Sequence, residues 1–356
     1  MSLRHAGPNW FAAVMGTGIV ATAAASLPVQ PPGLHVLAVI AWVLASTLLV
    51  TQLCAATLQA ILFPGAALAH LRHPVMRNFY GAVPMAVLVV GSSTLLVGSS
   101  VVGEAAAVGV DLALWSAGTI LGLVTAIVVP YYALTRPDGE PSPAFGGWLM
   151  PVVPPMVSAA TGALLVPYLP SSQARETLLL FCYAMFGMSL IASLFVISRI
   201  CGRIQRHGVG PAAMVPTLWI VLGPLGQSIT AVNLLAKAAP SALSEPQVAA
   251  ADALASSYGI TVWGFALLWL AFAITVTIRT ARVHLPFTLT WWSFTFPVGT
   301  LVTAASALAA RTGLVGFSVA AVLLFVVLAG AWAVVSIRTG YGLAQGHLLV
   351  ASPAQP

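Results

Sequence analysis

The chain has 356 residues, of which 60% are apolar and only 6% charged, and its mean hydropathy is +1.00. A water-soluble domain carries roughly 25% charged residues, so this composition excludes one and marks an integral membrane protein. The net charge of +6 calls for no nucleic-acid partner, because Lys and Arg gathered on the cytoplasmic side of a bilayer produce such an excess.

The apolar runs are continuous rather than alternating, which excludes a barrel and predicts helices. Charge-free stretches place them at residues 8–27, 34–63, 78–99, 108–134, 145–167, 175–200, 211–237, 249–279, 286–310 and 312–338. Each has room for the ~20 residues that a span requires. The first opens with "PNWFAAVMGTGIVA" and sets Gly16 and Gly18 around Thr17, although glycine costs a helix interior about 1 kcal/mol relative to alanine. A signal peptide from Arg4 to "ATAAAS" is the competing reading of this stretch. Pro8, Asn9 and Trp10 before the run and the glycines within it argue against that, and its removal would leave nine spans.

The third span carries Pro84, the fifth Pro151, Pro154 and Pro155, the seventh Pro216 and Pro224 beside Gly223, and the ninth Pro297 beside Gly299. Even-numbered spans have no proline in their interiors, Pro64 and Pro130 falling at or near ends. From Gly16 to Pro84 is 68 residues, and the next steps, to Pro154, Pro224 and Pro297, are 70, 70 and 73. That period predicts five copies of a two-helix hairpin. Irregular backbone is tolerated at membrane depth where it is buried in protein or lines a watery cavity. The expected fold is therefore all-α, with ten transmembrane helices as five hairpins around a central pore, the odd helices inner and kinked and the even ones outer. The alternative use of the same residues is close helix packing.

A cytoplasmic N-terminus puts Arg4, Arg72, Arg77, Arg136, Arg199, Arg203, Arg206, Arg279, Arg282 and Arg338 inside, and Arg175, Lys237 and Arg311 outside. This bias predicts that both termini are cytoplasmic. Residues 1–340 are read as one transmembrane domain and 341–356 as a short cytoplasmic tail. Cys54, Cys182 and Cys201 have no metal spacing, and neither cofactor nor metal is expected. The spans hold no convergent acids or histidines, so no enzyme is expected.

Two motifs carry a resemblance. "PNWFAAVMGTGIV" near the start and "TLTWWSFTFPVGT" (residues 288–300) in the ninth span resemble signatures of the tellurite-resistance/dicarboxylate transporter family. That family includes the bacterial tellurite-resistance protein, fungal malate permeases and sulfite efflux pumps, and the plant slow anion channel. The resemblance covers the whole chain. It implies a homotrimer in a plasma or inner membrane, a separate pore in each protomer, a small anionic substrate, and a phenylalanine from the ninth helix occluding the pore. Here that residue matches Phe296, with Phe294 as second choice. The two are about 200° apart around a helix, so both cannot point down one pore. Gly16, Thr17, Gly18, Pro84, Pro154, Pro155, Gly223, Pro224, Pro297 and Gly299 are the expected kink and pore-lining positions.

No predicted span has Asp or Glu near its middle, whereas cation pathways commonly use carboxylates. Arg72, Arg77, Arg199, Arg203, Arg279 and Arg282 are expected to form a basic cytoplasmic mouth that concentrates anions. The expected function is passage of a small anion, malate or sulfite, through a neutral, Phe-gated pore. A chloride or nitrate channel and a proton-coupled carrier of the same anions are the alternatives.

Overall fold

The computed structural model describes residues 7–135, 143–346 and 348. Arg4, Arg136 and most of the expected tail lie outside the described residues. Those described form twelve α-helices: α1 (Phe11–Ser26), α2 (Leu34–Leu62), α3 (Pro64–Arg72), α4 (Ala82–Ser93), α5 (Ser99–Val102), α6 (Glu104–Thr135), α7 (Pro154–Leu165), α8 (Ser172–His207), α9 (Leu222–Ala238), α10 (Glu245–Val283), α11 (Phe296–Thr312) and α12 (Val315–Ala344). No strand occurs among the described residues.

Local chemistry sets several of the ends. The Ser171 hydroxyl accepts the Ala174 amide at the start of α8, and Ser244 with Gln247 forms a capping box on α10. Gly313, at φ +69, closes α11 in the left-handed conformation that glycine adopts without penalty.

Eight helical runs among the described residues are long and apolar enough to cross a membrane. They fall into two groups. In α2, α6, α8, α10 and α12, 22–39% of the most apolar stretch is buried, against 72–94% in the runs at 76–102, 212–241 and 289–312. The first group turns bare Ile61, Ile127, Ile191, Leu268 and Ile337 outward, an arrangement suited to lipid and unsuited to water. The shorter α1 and α7 are buried along almost their whole lengths.

The buried helices α1, α4, α7, α9 and α11 pack side by side in that order, and α11 packs back on α1, so the ring closes. Each outer helix covers a seam: α2 touches α1 and α4, α6 touches α4 and α7, α8 touches α7 and α9, α10 touches α9 and α11, and α12 touches α11 and α1. Small residues make the ring tight. A β-carbon on Gly18 would fall 2.6 Å from Val89 Cγ1, and one on Gly226 would fall 2.6 Å from the Thr300 carbonyl carbon.

Every inner helix is preceded by a 3-10 segment, at 8–10, 76–81, 146–149, 212–221 and 289–294. The prolines stand where the tighter helix gives way to α. Pro154 and Pro155 open α7, Pro297 is the second residue of α11, and Pro84 and Pro224 are third in α4 and α9. In a first turn the missing N–H of proline leaves no hydrogen bond unmade. The sequence period thus marks a change of helix type, not a bend within an α-helix. Gly16 and Gly18 differ from the prolines in lying inside an uninterrupted α1.

Outer-helix tryptophans tie the two layers together. Trp42 of α2 donates to Thr94 Oγ1 at 2.9 Å, Trp115 of α6 to the Ser158 carbonyl at 2.9 Å, Trp269 of α10 to the Leu218 carbonyl at 2.9 Å, and Trp332 of α12 to Thr17 Oγ1 at 3.1 Å. A buried indole N–H needs such an acceptor, so each bond fixes the depth of one outer helix against the ring.

Candidate functional site

The ring encloses two cavities in line. The first, of about 30 Å³, is lined by the starts of the inner helices and their 3-10 leads: Met15, Phe79, Met85, Met150, Val153, Ile220, Gly223, Pro224, Trp292 and Pro297 among others. The second, of about 640 Å³, is lined by the later parts of the same helices, from Ile19, Val89, Val157, Gln227 and Thr303 onward. Early residues share one cavity and late residues the other, so the five helices run parallel. Phe296 is the one residue common to both linings, and its side chain is 5% exposed.

The small cavity is a neck. Every inner strut contributes an apolar group to it, and Ser293 is its one polar side chain. So narrow and apolar a space offers few groups to replace an ion's hydration shell. The large cavity is a vestibule with hydroxyls and amides in its wall. On α9, Gln227, Thr230, Asn233 and Lys237 recur at helical spacing and all reach it. On α11, Thr303, Ser306 and Arg311 do the same. Thr230 and Thr303 are hydrogen-bonded to each other at 2.8 Å, and the buried Ser306 hydroxyl has no partner.

Among the described residues, two cations and no carboxylate line the vestibule. Arg311 donates Nε–H to Asn233 Oδ1 at 2.5 Å and holds Asp252 of α10 by Nη1 at 2.7 Å. The guanidinium is anchored at the rim, and Asp252 itself does not line the cavity. Lys237 and Arg311 thus stand at the helix ends, with neutral donors deeper in the wall.

The residues singled out from sequence are distributed unevenly. Phe296, Gly223, Pro224 and Pro297 line the neck. Phe294 lies to one side, edge-on to Trp219 at 5.1 Å and Trp291 at 5.7 Å. Gly16 admits the Trp292 ring, whose Cε3 would be 2.6 Å from an added β-carbon, and Gly299 admits Ile19. Thr17 donates to the Ala13 carbonyl at 2.8 Å and faces Trp332. Gly16, Thr17, Gly18 and Gly299 therefore serve packing and touch neither cavity. Pro154 is set against Gly122 of α6, Pro84 lines a separate crevice between α1, α2 and α6, and Pro155 is buried in α7.

Arg72, Arg199, Arg279 and Arg282 are exposed, Arg77 and Arg203 half-buried, and none lines either cavity. Gln227, Asn233, Lys237 and Arg311 were not anticipated as site residues. Their signal was present as a polar stripe on one face of an otherwise apolar span. Among the described residues no three His, Cys, Asp or Glu side chains gather where a metal ion would be held.

Comparison with known proteins gives a match to the family model described as "Voltage-dependent anion channel" over residues 5–340. A sulfite efflux pump of Arthroderma otae is 28% identical over 340 residues, covering 94% of this chain and 90% of that protein. The sulfite efflux pump of Trichophyton rubrum is 27% identical over the same length. An uncharacterized transporter of Methanocaldococcus jannaschii is 31% identical over 297 residues, covering 83% of this chain and 81% of that one.

Proposed function

Since this chain belongs to the voltage-dependent anion channel family, we propose that it exports a small oxyanion of the sulfite class, with Phe296 as the occluding gate. One observation carries the reading: among the described residues Phe296 alone lines both the apolar neck and the polar vestibule. The similarity to sulfite efflux pumps supports sulfite over malate, chloride or nitrate.

In this reading ten helices cross the membrane as five hairpins, the inner five forming the pore wall, within one transmembrane domain of residues 1–340. Three copies assemble, each with its own pore. Both termini face the cytoplasm, which brings Arg72, Arg77, Arg199, Arg203, Arg279 and Arg282 to the cytoplasmic side of the neck. An anion gathered there sheds water to pass the neck once the Phe296 ring swings aside. It regains hydrogen bonds in the vestibule, from Gln227 and the hydroxyls, and leaves past Arg311. Discrimination comes from dehydration and neck width, because no fixed counter-charge lines the neck. Cations gain nothing along a route without carboxylates.

Efflux from proteoliposomes loaded in turn with sulfite, malate, nitrate and chloride tests this. Sulfite is expected to leave fastest, down its own gradient. Preferential release of malate or chloride would replace the substrate assignment, and sulfite accumulation that requires a proton gradient would replace the channel by a coupled carrier.

A further inference from the structure

Asp111 lies two turns into α6, on the face that packs against α4, and is 0% exposed. Among the described residues neither of its carboxyl oxygens has a hydrogen-bond partner, and it takes part in no ion pair. Its place is made by a glycine: a β-carbon on Gly91 of α4 would fall 2.6 Å from Asp111 Oδ1.

Among the described residues the surroundings offer no counter-charge. The flanking segments α4, 94–98, α5 and α7 contain no titratable side chain. Elsewhere on or near α6, Glu104, Tyr131 and Tyr132 belong to the same helix, Tyr168 follows α7, and Arg77 and Tyr80 lie in 76–81. His70 and Arg72 are on α3, and His35 of α2 is bonded to Ser100 at 3.2 Å. None of these bonds to Asp111. A carboxylate with neither a donor nor a cation in contact is neutralised rather than buried charged.

A second observation gives that neutral form a consequence. Immediately after α4 the chain makes a π-helical turn at Thr94–Gly98, a rare geometry that recurs at functional sites. Thr94 holds it, donating to the Val90 carbonyl at 2.7 Å and accepting from Trp42 at 2.9 Å. The same stretch is vestibule wall: Val89, Ser92 and Leu96 line the cavity from α4 and the turn. Gly91, against Asp111, is the immediate neighbour of Ser92.

We propose that Asp111 is a proton-binding site that controls the α4 wall of the vestibule. Protonated, it closes the seam between α4 and α6, as in the conformation described here. Losing the proton leaves a charge that the seam cannot hold, and α4 parts from α6 along Gly91–Gly98 to admit water. The flux consequence rests on the anion-transport reading; the protonation does not.

Difference infrared spectroscopy of the reconstituted protein, labelled with carboxyl-13C aspartate, tests the first half. The chain has three aspartates, Asp111, Asp138 and Asp252. A shifted carboxylic-acid carbonyl band is expected in the wild type at neutral pH and is expected to vanish in Asp111→Asn. A wild type without the band, or a variant that keeps it, overturns the proposal. Sulfite flux, compared between the two proteins at each pH so that titration of sulfite cancels, tests the second half. Wild-type flux is expected to rise several-fold over the variant toward alkaline pH, and superimposable profiles overturn the control of the wall. If neither protein carries sulfite, the transport reading fails while the infrared band still decides whether Asp111 holds a proton.

Discussion

Replacing Phe296 with alanine removes the single side chain that separates neck from vestibule. The ring is 5% exposed, and the neck beside it has only about 30 Å³ to spare, so neighbouring groups have little slack with which to collapse into the gap. Phe→Ala in a packed interior forfeits about 3–5 kcal/mol of contacts. Those contacts favour the occluded position of the ring, and a transporting protein must break them to open. At 1.4 kcal/mol per factor of ten, their removal corresponds to about two to three and a half decades of anion flux. The assay is stopped-flow sulfite efflux from proteoliposomes at matched protein density, with size-exclusion elution and thermal midpoint recorded for each variant. Phe294→Ala is the control, because its ring sits edge-on to Trp219 and Trp291 and lines neither cavity, and its flux is expected to stay at the wild-type level. Wild-type flux from a well-folded Phe296→Ala protein would refute the gate.

Three other outcomes are expected. Arg311→Gln removes charge-assisted bonds of about 1.5–3 kcal/mol each, so the sulfite concentration for half-maximal uptake from the vestibule side rises about tenfold while maximal flux is kept; an unchanged value takes Arg311 out of the anion's route. Gly226→Ala drives a methyl toward the Thr300 backbone and costs about 1–3 kcal/mol of overpacking, seen as a lower melting temperature in detergent; an unaltered melt would mean that the α9–α11 contact is looser than described. Trp332→Phe loses the bond to Thr17 and about 1 kcal/mol with it, and equal stability of variant and wild type would show that the bond contributes nothing.

Much of this architecture was readable because it rests on patterns that composition cannot hide. Charge-free runs gave the helices, and the 70-residue period in Pro84, Pro154, Pro224 and Pro297 pointed to the five inner ones. The meaning of each proline was less legible. A proline that begins an α-helix after a 3-10 lead and one that bends a helix leave the same trace in a sequence. Gly16-Thr17-Gly18 was ambiguous for a related reason, since a glycine that faces water and one that admits Trp292 or Val89 differ only in what lies opposite. Arg311 and Lys237 were counted as loop charges. Only the fold turns them, with Gln227 and Asn233, onto one cavity wall. Asp111 stood near a predicted span end, where an acid is unremarkable; α6 begins seven residues earlier, at Glu104, and that shift takes the carboxyl under protein.

The unequal sizes of the two cavities have an electrical meaning. A vestibule of about 640 Å³ admits electrolyte and is nearly equipotential with the solution it opens to. On the proposed route the narrower neck admits far less, so the membrane voltage falls mainly around the Phe296 ring. Moving one elementary charge through the whole voltage is work of about 2.3 kcal/mol per 100 mV, and nearly all of it is concentrated in the step past that ring. If the anion takes the proposed route, binding at Arg311 is then almost blind to voltage, whereas the passage step feels it in full.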